Sequence, residues 1–135
     1  MDGKKITYSQ IKKSQELEVS NLLNKHKVFF AFSDKQLLEG MENIGAKDKG
    51  ELTSIGSGAI ALKTEAKAFL DAMEQLDNKH KKELKDAKQA KEEAILYELK
   101  NHECFYAGSI EEVVNLFDGV YSKKDILIIF KKYNN

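Results

Sequence analysis

Val28-Phe29-Phe30-Ala31-Phe32-Ser33-Asp34-Lys35-Gln36 joins two opposite habits of the chain. Its first five residues are apolar and uncharged, three of them aromatic, which suits a short buried strand. Ser33 with Gln36 three residues later is a capping-box pattern, so a helix should start at once. Leu37, Leu38, Met41 and Ile44 follow at helical spacing, and Gly45 supplies the left-handed residue that ends a helix. The rest of the fold is read outward from this strand-to-helix junction.

Downstream, residues 46–50 read as a loop. Leu52 to Ile55 and Ala59 to Leu62 flank Gly56-Ser57-Gly58, the pattern of a β-hairpin. Thr64 then caps a stretch without proline or glycine that runs to Asn101. Its two ends are amphipathic, with Ala66, Phe69, Leu70, Met73 and Leu76 in one and Ala94, Ile95, Leu96 and Leu99 in the other. Residues 77–93 between them hold six lysines and five acids, with only Leu84, Ala87 and Ala90 apolar. Such a helix has too narrow an apolar stripe to lie on a core. It is expected either as one projecting rod or as a helical hairpin broken near Asp77-Asn78, the rod being favoured because no strong breaker is present.

Upstream, a helix is expected from Ser9, as its N-cap, to Lys25. Beyond Asn101, His102 to Ala107 read as a strand ended by Gly108. Ser109 with Glu112 opens another helix, and Ser122 with Asp125 opens the last. The sum is a single α+β domain over residues 1–135. It has a small, mainly antiparallel sheet (28–32, 52–55, 59–62, 102–107) covered by helices, and a charged helical extension at about 77–93.

The chain has 135 residues, 22 basic and 22 acidic, and every basic residue is lysine. Zero net charge and the absence of arginine argue against a dedicated nucleic-acid binder. The neutrality is a sum over blocks: +3 for residues 1–27, −3 for 33–76, +3 for 77–91, −6 for 92–118 and +3 for 119–135. Distinct acidic and basic faces are therefore expected. Cys104 is the only cysteine, so no intrachain disulfide forms, as in a reducing compartment. No apolar run approaches the roughly 18 residues of a membrane helix, and Met-Asp-Gly-Lys-Lys-Ile has no apolar core of a secretory signal. A cytoplasmic protein without membrane contact is the expectation.

The chemical motifs fail on spacing. A phosphate-binding loop at Gly56-Ser57-Gly58 with Lys63-Thr64 would need glycine where Leu62 and Ser57 stand. His102 and Cys104 share one face of the expected strand, a start for thiolate activation or zinc. His26 and His80 add no paired spacing, and Tyr106 stands where a metalloprotease would have its second histidine. The reading is a hydrogen-bonded His102 and a core Cys104, with no catalytic residue, metal or cofactor assigned. Glu98, Glu103, Glu111 and Glu112 would approach each other around the last strand as paired carboxylates. Glu111 and Glu112 are explained as well by the helix dipole.

The FAFS stretch at 30–33, Ser54-Ile55-Gly56-Ser57-Gly58, and Tyr97-Glu98-Leu99-Lys100-Asn101-His102-Glu103 occur in one order across roughly residues 20–117. That order resembles a family of small phage and prophage proteins of uncharacterised function. The resemblance implies phage origin and expression inside a bacterial cell. Small phage proteins often act by binding a host protein, inhibitors of CRISPR-type defence among them. It carries over no catalytic residue.

Two surfaces are therefore candidates. Lys79, Lys81, Lys82, Lys85, Asp86 and Lys88 on the charged extension would bind a host bacterial protein or ribonucleoprotein by steered association. Lys12, Lys13, Tyr121, Lys123, Lys124, Lys131 and Lys132, with Lys4, Lys5, Tyr8 and Tyr133, would make a lysine–tyrosine surface for single-stranded nucleic acid if the termini meet. A third alternative is a small enzyme or metal protein on His102 and Cys104. The Ala66, Phe69, Met73, Leu76 seam permits a homodimer.

Overall fold

Ser33 caps its helix as expected, while Gln36 reaches past it to the residue before. In the computed structural model, which describes residues 7–134, the Ser33 hydroxyl accepts the Gln36 N–H at 3.2 Å. The Gln36 side chain reaches back to the Phe32 N–H at 2.7 Å. The helix they open, α2 (Asp34–Ile44), ends at Gly45 in the left-handed region at φ 77°. It follows strand β1 (Phe29–Phe30), itself preceded by helix α1 (Tyr8–Lys25). The hairpin is β2 (Leu52–Gly56) and β3 (Ala59–Leu62), and β3 is the central strand of an antiparallel sheet ordered β1-β3-β2. Helix α3 (Lys63–Asp86) follows directly, then α4 (Lys91–Asn101), α5 (Cys104–Ala107), α6 (Glu111–Leu116) and α7 (Lys123–Tyr133). The fold class is α+β, mostly helical, with a three-stranded antiparallel sheet packed against helices.

The chain groups into two compact units, Met1–Gln15 with Asn78–Asn135, and Glu16–Asp77. In the second, Val28, Ala59, Ala61 and Phe69 form the core, with Leu22, Leu23, Ile55, Ala66 and Met73 against it. Gly40 lies inside α2, where glycine costs about 1 kcal/mol relative to alanine. The reason is the Phe29 ring: a Cβ on Gly40 would stand 2.2 Å from two of its carbons. The Phe32 ring likewise sits where a Cβ of Gly58 would be, and Gly58 turns the hairpin at φ 83°. Of the Ala66, Phe69, Met73, Leu76 seam, Phe69 is buried in this core, Ala66 and Met73 pack against it, and Leu76 is half-buried.

The first unit is helical. Ile95, Leu99, Val113, Phe117 and Ile126 are its buried centre, with Tyr8, Ile11, Leu84, Ala90 and Cys104 in the same cluster. Each large apolar side chain so buried contributes about 1.5–3 kcal/mol.

Four expectations are corrected. The N-cap of α1 is Thr7 and not Ser9: its hydroxyl accepts the Gln10 N–H at 3.2 Å, and Gln10 Oε1 accepts the Thr7 N–H at 3.0 Å. The helix from Thr64 passes Asp77-Asn78 intact but stops at Asp86. Ala87 leaves the helical region at φ −84°, ψ 65°, and one 3-10 turn leads into α4. Leu84 and Ala90 are buried, so the charged stretch gives its few apolar residues to the core of its unit. No glycine or proline stands at this break; Leu84 before it and Ala90, Ala94 and Ile95 after it belong to one core.

Residues 102–107 are not a strand. Glu103 turns left-handed at φ 54°, and Cys104–Ala107 make one helical turn closed by Gly108. Cys104 is buried and Phe105 stacks on Phe130, centroids 5.1 Å apart, while Tyr106 is 94 % exposed. One helical turn gives both apolar residues a partner; a strand here would have no neighbour among the described strands. Finally, Ser109 and Glu112 do not close a capping box. The Ser109 hydroxyl accepts the Glu111 N–H at 3.4 Å, and Glu112 turns to His102.

Candidate functional site

Two places hold what sequence reasoning marks as chemistry or recognition. The first is a carboxylate enclosed in the helical unit. Glu98 on α4 is 1 % exposed. Its carboxylate accepts from the Tyr8 hydroxyl, from Lys12 Nζ at 2.7 Å and from Asn101 Nδ2 at 3.3 Å. The Lys12 ammonium also lies 5.1 Å from the Tyr97 ring centroid. Helix α1 presents Tyr8 and Lys12 one turn apart, on the face that meets α4.

Burial alone would raise the Glu98 carboxyl. The bonds from Lys12 and Tyr8 outweigh it and hold the carboxyl below its ordinary range. Burial, with the bond to Glu98, pushes the Tyr8 hydroxyl far up, so it stays protonated as the donor. His102 stands beside the cluster, Nε2 3.6 Å from Glu98 and Nδ1 2.9 Å from Glu112. Among the described residues, no buried side-chain polar atom lacks a partner. The cluster is closed and saturated. It fixes the start of α1 onto α4.

The other chemical candidates do not converge. Cys104 is 1 % exposed, and burial, helped by the Glu112 charge, raises its thiol. A protonated, buried thiol is a poor nucleophile. Glu111 pairs with Lys123 at 3.1 Å, Glu112 pairs with His102, and Glu103 is exposed. No group of three or more His, Cys, Asp or Glu side chains that could hold a metal occurs among the described residues.

The lysine surfaces are partly spent on ion pairs. Of the charged stretch, Lys82 pairs with Asp86 at 2.7 Å, and Lys79 and Lys85 are exposed, with Lys81 half-buried. Lys88 lines an open hollow of about 300 Å³ with Lys91, Glu92, Asp125 and Ile128. Of the terminal surface, Lys12 holds Glu98, Lys132 holds Glu92 at 2.8 Å, and Lys123 holds Glu111. Tyr121 is buried against Phe117. Lys13, Lys124 and Lys131 are exposed. Lys4 and Lys5 lie outside the described residues.

The second place is in the sheet unit. Phe29, Phe30, Phe32, Gln36, Glu39 and Gly40 line an open hollow of about 330 Å³ between β1 and α2. Phe30 is 50 % and Phe32 74 % exposed. The 28–32 run, expected as a short buried strand, is corrected here: its outer phenylalanines face solvent. Strand β1 is a two-residue edge strand, so Val28 is buried, Phe29 and Ala31 are half-buried, and Phe30 and Phe32 stay exposed. Gly40 was the available signal: a glycine on the apolar face of a capped helix marks a ring pressed against the backbone. The two units also differ in charge. The helical unit's segments hold 15 lysines and 11 acids; the sheet unit holds 7 lysines and 11 acids. The formal zero divides into +4 and −4.

No helix among the described residues is long and apolar enough to cross a membrane. No curated protein matches the chain. No solved structure matches it. One family model spans residues 6–134, nearly all of the sequence read above: the chain belongs to a family of unknown function, DUF7659.

Proposed function

We propose that the chain is a non-catalytic interaction protein of phage origin, working in the cytoplasm of a bacterial host. It binds a host protein or ribonucleoprotein and inhibits or redirects it, and a CRISPR-type defence complex is the first target to test. The observation that carries the reading is the exposed pair Phe30 and Phe32 at the rim of the β1–α2 hollow. Aromatic side chains clustered beside a cavity are the usual anchors of protein recognition. The acidic excess of the same unit adds steering toward a basic partner.

The closed state of the Glu98 cluster and the buried thiol of Cys104 favour binding over catalysis. Ion pairing of Lys12, Lys123 and Lys132 leaves the terminal lysine–tyrosine surface with fewer cations for phosphates.

The test is affinity capture from bacterial lysate at low and high salt, comparing the wild type with Phe30→Ser/Phe32→Ser. The recovered protein is then purified and its binding reconstituted. A defined protein held by the wild type, released by the double variant and weakened by salt is the expected result. Equal recovery by both forms, or none at low salt, overturns the reading. Flanking genes that are not phage genes would remove its phage part.

A further inference from the structure

Resting on the interaction reading, we infer that the outer edge of β1 takes an extended, basic segment of the partner as an added strand. The hollow between β1 and α2 then seats one apolar side chain of that segment.

The ladder sets which groups are offered. Phe29 opposes Ile60, Phe30 opposes Ala59, and the Ala31 N–H donates to the Gly58 carbonyl at 2.9 Å. In an antiparallel pair, alternate residues bond to the same neighbour. Phe29 and Ala31 therefore face β3, and the N–H and C=O of Phe30 face away from it. Strand β1 is terminal in the order β1-β3-β2, and no described strand lies beyond it. At the next outward position, the Phe32 N–H is already taken by Gln36 Oε1. This side-chain bond stops pairing after one residue, so the edge offers a single docking register.

The hollow supplies specificity. Its floor is the Phe29 ring on Gly40 and its rim is Phe30 and Phe32, apolar surface that an alternate side chain of an added strand would cover. Glu39 lines it too, and its ion pair with Lys35 is a long one, at 3.9 Å. Helix α2 carries Asp34, Glu39 and Glu42 against the single Lys35, in a unit of net −4. A lysine or arginine flanking the seated residue complements that field.

The experiment is selection of displayed random peptides against the full chain at low salt. Titration calorimetry of the enriched peptide follows, on the wild type, Glu39→Lys and Phe32→Ser, with circular dichroism to confirm that both variants fold. Enriched peptides should alternate apolar and basic residues. Glu39→Lys should weaken binding by about tenfold, and N-methylation of one backbone position of the peptide should abolish it. Binding that ignores Glu39→Lys, or that survives N-methylation at every position, overturns the inference. So does the absence of any enriched peptide. If a host protein is still captured through Phe30 and Phe32 in that case, only the strand mode fails; if capture also ignores these residues, the interaction reading fails with it.

Discussion

In the sheet unit a phenylalanine ring rests on a glycine; in the helical unit a carboxylate is shut in by a tyrosine, a lysine and an asparagine. The first contact is fixed by shape. The Phe29 ring touches the α2 backbone because Gly40 has no side chain, so an added methyl meets a wall. The second is fixed by charge and hydrogen bonding, because Glu98 is stable in the interior only while its donors stay in place. The Phe29–Gly40 contact should respond to added volume and not to pH. The Glu98 contact should respond to pH and to loss of a donor.

The largest effect expected is from Phe117→Ala, which empties the centre of the helical cluster. A loss of about 3–5 kcal/mol is expected, with faster amide exchange in α4, α6 and α7. A loss below about 1 kcal/mol on denaturant unfolding would mean that this ring does not anchor the core.

Replacing Glu98 by leucine strands a buried Tyr8 hydroxyl and the Lys12 ammonium, at a cost of about 2–4 kcal/mol. The pH dependence gives the sharper measurement. The Glu98 carboxyl is held below the ordinary glutamate value of 4.5, so it contributes stability above that value and loses it as the pH falls through the folded-state value. Glu98→Gln should remove that part of the acid limb. Unfolding curves of equal slope for the two proteins below pH 4.5 would contradict the assignment.

Gly40→Ala gains about 1 kcal/mol of helix propensity and meets the Phe29 ring at a cost of about 1–3 kcal/mol, a net change between zero and a loss of about 2 kcal/mol. Adding Phe29→Val should return stability, and the double-mutant cycle reads the coupling directly. Additive effects would break the comparison on its shape-fixed side. The pH profile of Gly40→Ala should follow the wild type.

The smallest change is Thr7→Ala, worth about 1 kcal/mol for a lost N-cap. Amides at the start of α1 should exchange faster, while those of β2 and β3 stay as they were. Equal loosening of the hairpin would show that the two regions do not respond separately.

Legibility follows the range of the forces. Ser33, Gly45 and Ser122 could be read because a cap is decided within four residues. The hairpin could be read because Gly56-Ser57-Gly58 alone supplies the positive φ that the turn requires. His102–Ala107 could not. Aromatic and apolar residues in a short run suit a strand only if another strand lies beside them, and here the neighbour is Phe130 of α7. The Glu98 cluster was half visible, as an acid worth noting. Its partners Tyr8 and Lys12 lie 90 and 86 residues away along the chain.

The sequence by itself determined the α+β class, the antiparallel hairpin, the cap of α2 and the absence of a phosphate loop, because each depends on residues close together in the chain. Only the tertiary structure decided where the long helix breaks, which phenylalanines stay in water, and which lysines are engaged by acids. It also resolved the formal charge of zero into one unit of +4 and one of −4. These outcomes turn on which distant side chains compete for one core or one carboxylate, and no local pattern encodes that competition.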